Sequence, residues 1–318
     1  KQIITHKSHN PIFIYFHDLV KTFNLKLDPD ITKIYVPSDI IVNTLPIFLN
    51  KLRNKKIEWI QLIHHIFLPP FRRPGKFLNA LLNYATQRLS FILIKKKADK
   101  IICGSRFLKE QLISLGFEKN KIFVNGNMVN LNKIPKIKNI KKTNDFIFIG
   151  RLNATKGCKD LIWLWQYTEL KFKKLIIIGR GELEKEVNKL VSKNKNVKFY
   201  QNVSNNEKFK LLKSSKLFIF PSHEEGWGIV ITEALASGIP CIVWDLPIYK
   251  HIYPTKSVIK VKEDKYYEMV KITIKLLDCS LKMRRLGENA KKFVKRYDSK
   301  KIIINEKNII FNEGIKNE

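Results

Sequence analysis

Short apolar runs alternate along the chain with longer stretches in which apolar residues recur every three or four positions. The runs cover residues 31–36, 59–63, 100–103, 121–124, 146–149, 174–178, 197–200, 217–220 and 241–244. Most are apolar at every position, which is typical of strands buried on both faces of a parallel sheet. The helical stretches cover residues 77–97, 105–115, 157–165, 182–192 and 205–213. Strands that alternate with helices predict βαβ units and a doubly wound α/β fold.

The position of one polar, proline-bearing segment divides the chain into two predicted domains. At about 150 residues per domain, 318 residues suggest two domains. We predict an N-terminal domain over residues 1–133, a linker over residues 134–144 and a C-terminal domain over residues 145–297. Residues 298–318 have helical spacing, and we expect them to dock on the N-terminal domain. Ligands of such sheets bind outside the carboxyl ends of the strands, so we expect a cleft between the domains.

The first residues have the apolar pattern that is typical of the interior of a domain. The chain opens on Lys1, and apolar residues follow within a few positions at Ile3, Ile4 and Ile12. We therefore expect the N-terminal domain to be incomplete, with a first strand and helix missing.

The densest chemistry lies in residues 220–240, where a buried strand ends at Pro221. A loop with two carboxylates and two glycines follows, and then a helix begins near Ile229. Unpaired N–H groups at a helix start, beside glycines, form an anion site suited to a diphosphate. Glu225 and Glu233 flank this start, and each carboxylate can accept hydrogen bonds from two sugar hydroxyls. The alternative is two solvated glutamates around an ordinary cap, but their placement as a pair favours function.

A second candidate anion site follows the strand at residues 146–149. Arg151 and Lys156 lie in the turn before the next helix. An arginine offers a planar fork to phosphate oxygens, and a lysine offers a compact charge. Two cations in a basic protein are by default solvated surface. Their position at the carboxyl end of a strand favours a phosphate site.

A glycine turn at Gly179 and Gly181 suggests a nucleotide nearby. The dinucleotide fingerprint requires a third glycine where this chain has Glu184, so we exclude NAD. Residues 201–204 close the next strand, and the backbone of Val203 is a candidate contact for a base.

Taken together, these motifs resemble one family. The order Gly-Arg-Leu…Lys-Gly, Ile-Gly-Arg-Gly and Glu-Gly-Trp-Gly-Ile-Val…Glu-Ala-Leu-Ala-Ser-Gly-Ile-Pro resembles that of the retaining glycosyltransferases of family 4 over residues 144–297. The resemblance implies the GT-B fold, in which two Rossmann-like doubly wound domains face each other across a cleft and a C-terminal helix crosses back.

The resemblance also implies roles for particular residues. Catalytic roles fall on His64, Arg151, Lys156 and Glu225. Donor-binding roles fall on Gly150, Gly179, Val203, Gly226, Trp227, Gly228, Ile229 and Glu233. Arg151 and Lys156 would hold the diphosphate, Glu225 the transferred sugar and Glu233 the ribose. A histidine would face the sugar, with His65 as the alternative to His64.

The implied activity is retaining transfer of a hexose from a UDP- or GDP-sugar to a glycan or lipid-linked acceptor. Attack on the same face of the sugar, with the leaving phosphate taking the acceptor proton, needs no carboxylate nucleophile. Asp28 and Asp30 copy the spacing of a metal-binding pair but lie in the other half, so we expect no essential metal and no cofactor. The family's glycine-rich first loop has no counterpart here, and an inactive GT-B scaffold used for assembly is therefore one alternative.

The charge of the chain allows a competing class. Sixty Lys and Arg against 28 Asp and Glu give a formal net charge of +32. A basic nucleic-acid-binding protein is therefore the second alternative. Nucleic acid is nevertheless not an expected partner, because no recognition motif is present and the aromatic residues lie mainly within apolar runs.

The same charge bears on location. Residues 77–97 are heavily apolar and end in Lys95, Lys96 and Lys97, with Arg72, Arg73 and Lys76 upstream. Such a helix suits an anionic membrane surface, while a core helix with a solvated basic end is the alternative. Four scattered cysteines fit a reducing compartment. We expect a cytoplasmic protein, with peripheral membrane attachment as an option.

Overall fold

The computed structural model describes residue 20, residue 22, residues 25–135 and residues 140–312. The chain divides into two compact units. The first contains the described residues up to Pro70 together with Leu78–Asn125, and the second contains Phe71–Phe77 and the described residues from Gly126 onward.

Several sequence predictions fall outside the described residues. They are the apolar opening over residues 1–19, residues 136–139 of the linker and residues 313–318 of the last helix. The predicted domain bounds and the docking of the C-terminal helix stay predictions.

The first unit is built on a parallel sheet of four strands in the order β1–β2–β3–β4. The strands are β1 (Lys33–Val36), β2 (Glu58–Ile63), β3 (Lys100–Cys103) and β4 (Ile122–Val124). The connecting helices are α1 (Ile41–Arg53), α2 (Phe77–Lys97) and α3 (Arg106–Ser114). Each strand pairs in parallel with the next, so every connection is a crossover with a helix in it.

Apolar side chains from the strands and helices form the core of the first unit. Trp59 and Ile63 of β2 lie in one buried cluster with Phe91 and Ile94 of α2. The ring of Phe91 meets the ring of Phe117 edge to face, with centroids 5.3 Å apart. Burying one such side chain contributes about 1.5–3 kcal/mol. These contacts hold the inner face of α2 in place.

The second unit contains a parallel sheet of six strands in the order β10–β9–β8–β5–β6–β7. The strands are β5 (Asn144–Ile149), β6 (Leu175–Ile178), β7 (Val197–Tyr200), β8 (Ser215–Phe220), β9 (Cys241–Trp244) and β10 (Val258–Val261). From β5 the chain adds β6 and β7 on one side and then returns to add β8, β9 and β10 on the other. The order therefore reverses between β5 and β8, which is the switch point of a doubly wound sheet. The predicted α/β class is confirmed.

Helices connect the strands of the second unit and complete it. They are α4 (Cys158–Leu164), α5 (Thr168–Lys171), α6 (Glu184–Lys193), α7 (Asn205–Ser214), α8 (Ile229–Ala236), α9 (Pro247–Ile252), α10 (Tyr266–Leu277), α11 (Ser280–Val294) and α12 (Ser299–Phe311). No helix within the described ranges is both long and apolar enough to span a bilayer.

Aromatic packing makes the switch point rigid. Phe148 of β5 and Phe220 of β8 are buried, and their ring centroids lie 5.7 Å apart. Phe146 meets Trp165 edge to face at 5.2 Å. Because close-packed rings resist displacement, the loops that leave β5 and β8 start from fixed points.

Candidate functional site

Two loops leave the sheet of the second unit at its switch point. Residues 150–157 follow β5, and residues 221–228 follow the neighbouring strand β8. Both loops therefore emerge at the carboxyl edge, where doubly wound sheets bind ligands. Both sequence-predicted anion sites lie on these loops, so the structure brings them to one place.

The loop after β5 is shaped by Asn153 and Gly157. The side-chain oxygen of Asn153 accepts hydrogen bonds from the Lys156 N–H and the Thr155 hydroxyl, each at 3.0 Å. Gly157 follows in the left-handed conformation, with φ of 71°. A Cβ atom at residue 157 would lie 1.8 Å from the backbone oxygen of Pro221. The two loops therefore touch at a point that only glycine allows.

Polar groups tie the loop after β8 to the loop after β5. The His223 N–H donates to the Thr155 carbonyl oxygen at 2.9 Å. The Ser222 hydroxyl lies 3.1 Å from the same carbonyl oxygen and 3.0 Å from Oε1 of Glu225. The Glu225 carboxylate is thus held from within its own loop.

Lys156 and Glu225, predicted from separate motifs, form an ion pair. Lys156 Nζ lies 2.5 Å from Oε1 of Glu225 and donates to the Glu224 carbonyl oxygen at 3.1 Å. The Lys156 side chain is 18% exposed and that of Glu225 is 9% exposed. A pair this sheltered from water attracts more strongly than a surface pair. The pair places a carboxylate that can accept hydrogen bonds from hydroxyl groups beside a cation that can bind phosphate.

The neighbouring carboxylate, Glu224, is paired with a residue far away in the sequence. Arg73 Nε lies 2.5 Å from Oε2 of Glu224, with the two side chains 14% and 7% exposed. Both residues belong to the second compact unit. Sequence reasoning grouped Arg73 with Arg72 and Lys76 in a membrane-facing cluster. The Arg73 side chain is 14% exposed and contacts the site loop, and the membrane grouping, one of two alternatives, stays a prediction.

Helix α8 begins directly after Gly228, at the end of the second loop. Tyr253 donates its hydroxyl proton to the Gly228 carbonyl oxygen at 3.0 Å. Trp227 is 5% exposed and donates its indole N–H to the Thr232 hydroxyl at 3.0 Å. Because α8 follows β8 through this loop, its first N–H groups lie at the carboxyl end of that strand. The predicted donor contact of Trp227 would involve its backbone, since its side chain is interior.

Glu233 lies one turn into α8 and lines a cavity of about 300 Å³. Its Oε1 lies 2.6 Å from Nζ of Lys208, and the two side chains are 18% and 17% exposed. Ile229, Asn205 and Asn206 also line this cavity. The structure therefore brings Glu233 and Ile229, both predicted donor contacts, to one concave surface. Sequence reasoning missed Lys208, which no motif distinguishes among 60 basic residues.

The glycine turn after β6 has a structural reason. A Cβ atom at Gly179 would lie 1.9 Å from the backbone oxygen of Gly150, so the ends of β5 and β6 are in close backbone contact. Val203 lies in the chain segment that joins β7 to α7, and it is half-buried. Arg151 is exposed, and Gly226 is half-buried. All of these predicted residues lie on the second unit.

His64 lies in the first unit, directly after β2. Its side chain is exposed, and its Nε2 lies 3.1 Å from the Pro37 carbonyl oxygen. The His65 ring meets the Phe67 ring edge to face, with centroids 4.5 Å apart. The role of either histidine beside the sugar stays a prediction.

A histidine that sequence reasoning did not single out, His223, is held between two carboxylates. Its Nε2 lies 2.9 Å from Asp160 Oδ2, and its Nδ1 lies 2.6 Å from Glu263 Oε1. Burial alone would lower the pKa of His223, but the hydrogen bonds and charges of the two carboxylates raise it to about 9. Asp160 Oδ1 also accepts hydrogen bonds from Tyr266 at 2.8 Å and Trp244 at 3.3 Å. His223 therefore carries a positive charge at neutral pH.

Within residues 25–135 and 140–312, no group of three or more His, Cys, Asp or Glu side chains could hold a metal ion. Asp28 and Asp30 are joined by a local turn, in which the Asp30 N–H donates to the Asp28 carboxylate at 3.1 Å. The expectation that the reaction needs no metal stays a prediction.

Comparison with solved structures identifies the class of the fold. The Anabaena protein Alr3699/HepE, in complex with UDP and glucose, has a TM-score of 0.72 at 16% identity and covers 88% of this chain and 78% of its own. A mutant of S. aureus TarM, in complex with Fondaparinux, alpha-GlcNAc-glycerol and UDP, has a TM-score of 0.66 at 20% identity, with coverage of 82% and 53%. The chain therefore has the GT-B glycosyltransferase fold, as the motifs implied.

Sequence comparison identifies the family. The model of the family described as glycosyl transferases group 1 matches residues 130–293, more than half of the chain. The chain belongs to this family. It is 28% identical over 269 residues to the uncharacterized glycosyltransferase MJ1059 of Methanocaldococcus jannaschii, and 28% identical over 227 residues to the O-antigen chain mannosyltransferase RfbU of Salmonella typhimurium. These matches cover 76% and 70% of this chain but only 63% and 59% of the relatives' lengths.

Proposed function

We propose that this chain acts in retaining transfer of a hexose from a UDP- or GDP-sugar to a glycan or lipid-linked acceptor. The observation that carries the proposal is the pairing of Lys156 with Glu225, 2.5 Å apart, at the switch point of the second sheet. Family membership supports glycosyl transfer. Neighbours of the same fold that were solved with UDP support a nucleotide donor.

Four side chains divide the donor between them in this proposal. Arg151 and Lys156 bind the diphosphate oxygens, and the start of α8 offers them further N–H groups. Glu225 accepts hydrogen bonds from hydroxyls of the transferred sugar. Glu233 accepts hydrogen bonds from the ribose hydroxyls, which its position in the cavity beside Ile229 supports.

In the proposed step one bond breaks, one bond forms and one proton is transferred. The bond between the anomeric carbon and a diphosphate oxygen breaks, and the acceptor oxygen bonds the same face of that carbon. The acceptor proton passes to the leaving phosphate oxygen. Negative charge develops on the diphosphate, and the cations of Arg151 and Lys156 stabilise it there. The step uses no metal ion and no cofactor, and we propose that His64 faces the sugar.

We place the reaction in the cytoplasm, at the membrane face where a lipid-linked acceptor would be presented. Nucleotide sugars are anionic, and a chain with a formal charge of +32 attracts them over several ångströms. Reduced cysteines are consistent with this compartment, because the four thiols are unpaired.

The test distinguishes the proposed roles of Glu225 and Glu233 by comparing the binding of nucleotides with that of nucleotide sugars. Calorimetry would compare UDP with UDP-sugars, and GDP with GDP-sugars, on the wild-type chain, Glu225→Ala and Glu233→Ala. Losing a hydrogen bond to a charged group costs about 1.5–3 kcal/mol, or more than tenfold in affinity. Glu225→Ala should remove the gain that the sugar adds to nucleotide binding. Glu233→Ala should weaken nucleotide and nucleotide-sugar alike.

Two controls accompany this test. Glu268→Ala changes an exposed glutamate on α10 and should leave binding unchanged. Release of UDP or GDP in the presence of acceptor would distinguish an active enzyme from an inactive scaffold. Equal sugar-nucleotide affinity in wild type and Glu225→Ala would refute the site, and salt-sensitive DNA retention without nucleotide binding would favour the nucleic-acid alternative.

A further inference from the structure

Two buried tyrosines lie beside the loop that carries Glu225. Tyr249 belongs to α9 and Tyr253 follows that helix, and their ring centroids lie 5.8 Å apart. The Tyr253 hydroxyl is fully used, because it lies 2.8 Å from the Thr232 hydroxyl and donates to the Gly228 carbonyl oxygen at 3.0 Å. The Tyr249 hydroxyl makes no hydrogen bond to any residue that the structure describes. A buried hydroxyl without a partner costs free energy, so its position needs a reason.

The unpaired Tyr249 hydroxyl lies next to the glycine turn of the site loop. It is 3.7 Å from the position that a Cβ atom would take at Gly228, which comes three residues after Glu225. Burial raises the pKa of Tyr249 well above its usual value, and the negative charge of Glu225 raises it further. A phenol in this setting keeps its proton. Tyr249 therefore offers the loop a hydrogen-bond donor that no described residue uses.

The Glu225 carboxylate has room for a further donor. Lys156 Nζ and the Ser222 hydroxyl both contact its Oε1, at 2.5 Å and 3.0 Å, and no described residue donates to its Oε2. A carboxylate can accept about four hydrogen bonds. In the proposed reaction Lys156 also binds the diphosphate, and a lysine that turns to phosphate leaves a sheltered carboxylate without its cation. Such a loss is costly unless another donor takes its place.

We propose that Tyr249 is a positioning residue, whose hydroxyl donates to the Glu225 carboxylate when Lys156 turns to the diphosphate. This inference rests on the proposed function and adds a residue to its site. The exchange keeps Glu225 ionised and hydrogen-bonded while it holds the sugar, and it leaves the Lys156 charge to the phosphate. Because the free chain leaves the Tyr249 hydroxyl unpaired, the new bond stabilises the ligand-bound state alone, and the exchange therefore favours binding.

The first test needs no ligand, because Lys156→Met imitates the departure of the lysine. Urea unfolding would measure Tyr249→Phe in the wild-type chain and in Lys156→Met, as a double-mutant cycle. In the wild type, Tyr249→Phe removes an unpaired hydroxyl and should leave stability unchanged or raised. In Lys156→Met it should lower the folding equilibrium constant about tenfold, since a hydrogen bond to a charged group is then lost. Tyr253→Phe is the matched control and should destabilise both chains equally, because its hydroxyl is paired in each.

The second test is calorimetry with UDP-glucose and GDP-mannose. Tyr249→Phe should weaken binding of the donor about tenfold in the wild-type chain and leave it unchanged in Glu225→Ala. A loss of binding that persists in Glu225→Ala would overturn the inference, and so would equal effects of Tyr249→Phe on the unfolding of wild type and Lys156→Met. If the wild type binds neither nucleotide sugar, the proposed function fails, and the unfolding cycle alone decides whether Tyr249 can replace Lys156 at Glu225.

Discussion

The charge of His223 should make the stability of the second unit depend on pH. Its ordinary pKa is 6.5, and its partners raise it to about 9 in the folded chain. Below pH 6.5 both the folded and the unfolded chain hold the proton, so the stabilisation is complete. As the pH rises towards 9, only the folded chain keeps the proton, and the stabilisation is progressively lost.

The size of this effect follows from the contacts. The difference between about 9 and 6.5, at 1.36 kcal/mol per pKa unit, corresponds to about 3 kcal/mol of folding free energy. The His223 side chain is only 17% exposed, so solvent screens the interaction weakly. Burial alone would raise the pKa of Asp160, but His223 outweighs burial and the pKa is lowered. Asp160 therefore stays ionised throughout this pH range, and the pH dependence of the folding free energy comes from the His223 proton.

Urea unfolding at about pH 6 and about pH 9.5 would measure the effect in wild type and His223→Gln. The wild type should lose up to about 3 kcal/mol more than the variant between these pH values. His251→Gln, at another histidine of the second unit, shows what the loss of an imidazole elsewhere does to the same comparison. Histidine NMR titration should show one resonance with a pKa near 9 that is absent from His223→Gln. Identical pH dependence in wild type and His223→Gln would refute the reasoning.

Two further predictions concern the loops of the site. Gly157→Ala should destabilise the second unit by about 2–5 kcal/mol, because a left-handed alanine is strained and its Cβ overlaps Pro221. Gly75→Ala, at φ of 115° with open space around it, should show only the conformational strain; equal losses in urea unfolding would disprove the overlap. Arg73→Gln should cost about 1.5–3 kcal/mol by removing a charged hydrogen bond to the buried Glu224 carboxylate. Adding Glu224→Gln should recover part of that loss, and a simple sum of the two losses would contradict the pairing.

The sequence predicted the central strands well because these strands are buried on both faces. β3, β6 and β9 are buried at every position, so each appears in the sequence as an unbroken apolar or nearly apolar run. The strand β10 was not predicted, and its two partly exposed positions do not distinguish it from β1 and β7, which were predicted. Loop chemistry was predictable where a motif follows a buried strand, as at Lys156 and Glu225.

Helix α1 could not be predicted in the same way. Pro46 lies within it, and a proline removes one backbone hydrogen bond and usually ends a helix. The Asn50 side chain ties α1 to the segment before the sheet: it donates to the Leu25 carbonyl oxygen at 2.7 Å and accepts from the Leu27 N–H at 3.0 Å. Tertiary contacts of this kind have no local pattern in the sequence.

The partners of the site loop were missed for a related reason. Arg73 and Glu224 are 151 positions apart, and His223 and Asp160 are 63 apart. Nothing in the spacing of charged residues singles out such pairs among 88 Lys, Arg, Asp and Glu side chains, the sum of 60 and 28. Only the return of the chain to the switch point brings them together.

These long-range contacts hold in place the loop that carries Glu225, which we propose to bind the transferred sugar. The loop that carries it is held by Gly157 against Pro221, by His223 between two carboxylates and by Glu224 against Arg73. A group fixed before its ligand arrives need not be ordered during binding, which is the advantage of preorganised sites. Glu225 is itself one of these contacts through its 2.5 Å ion pair with Lys156, so its removal should lower stability as well as ligand binding. Removal of another anchor should likewise affect both, because Glu225 would move with the loop.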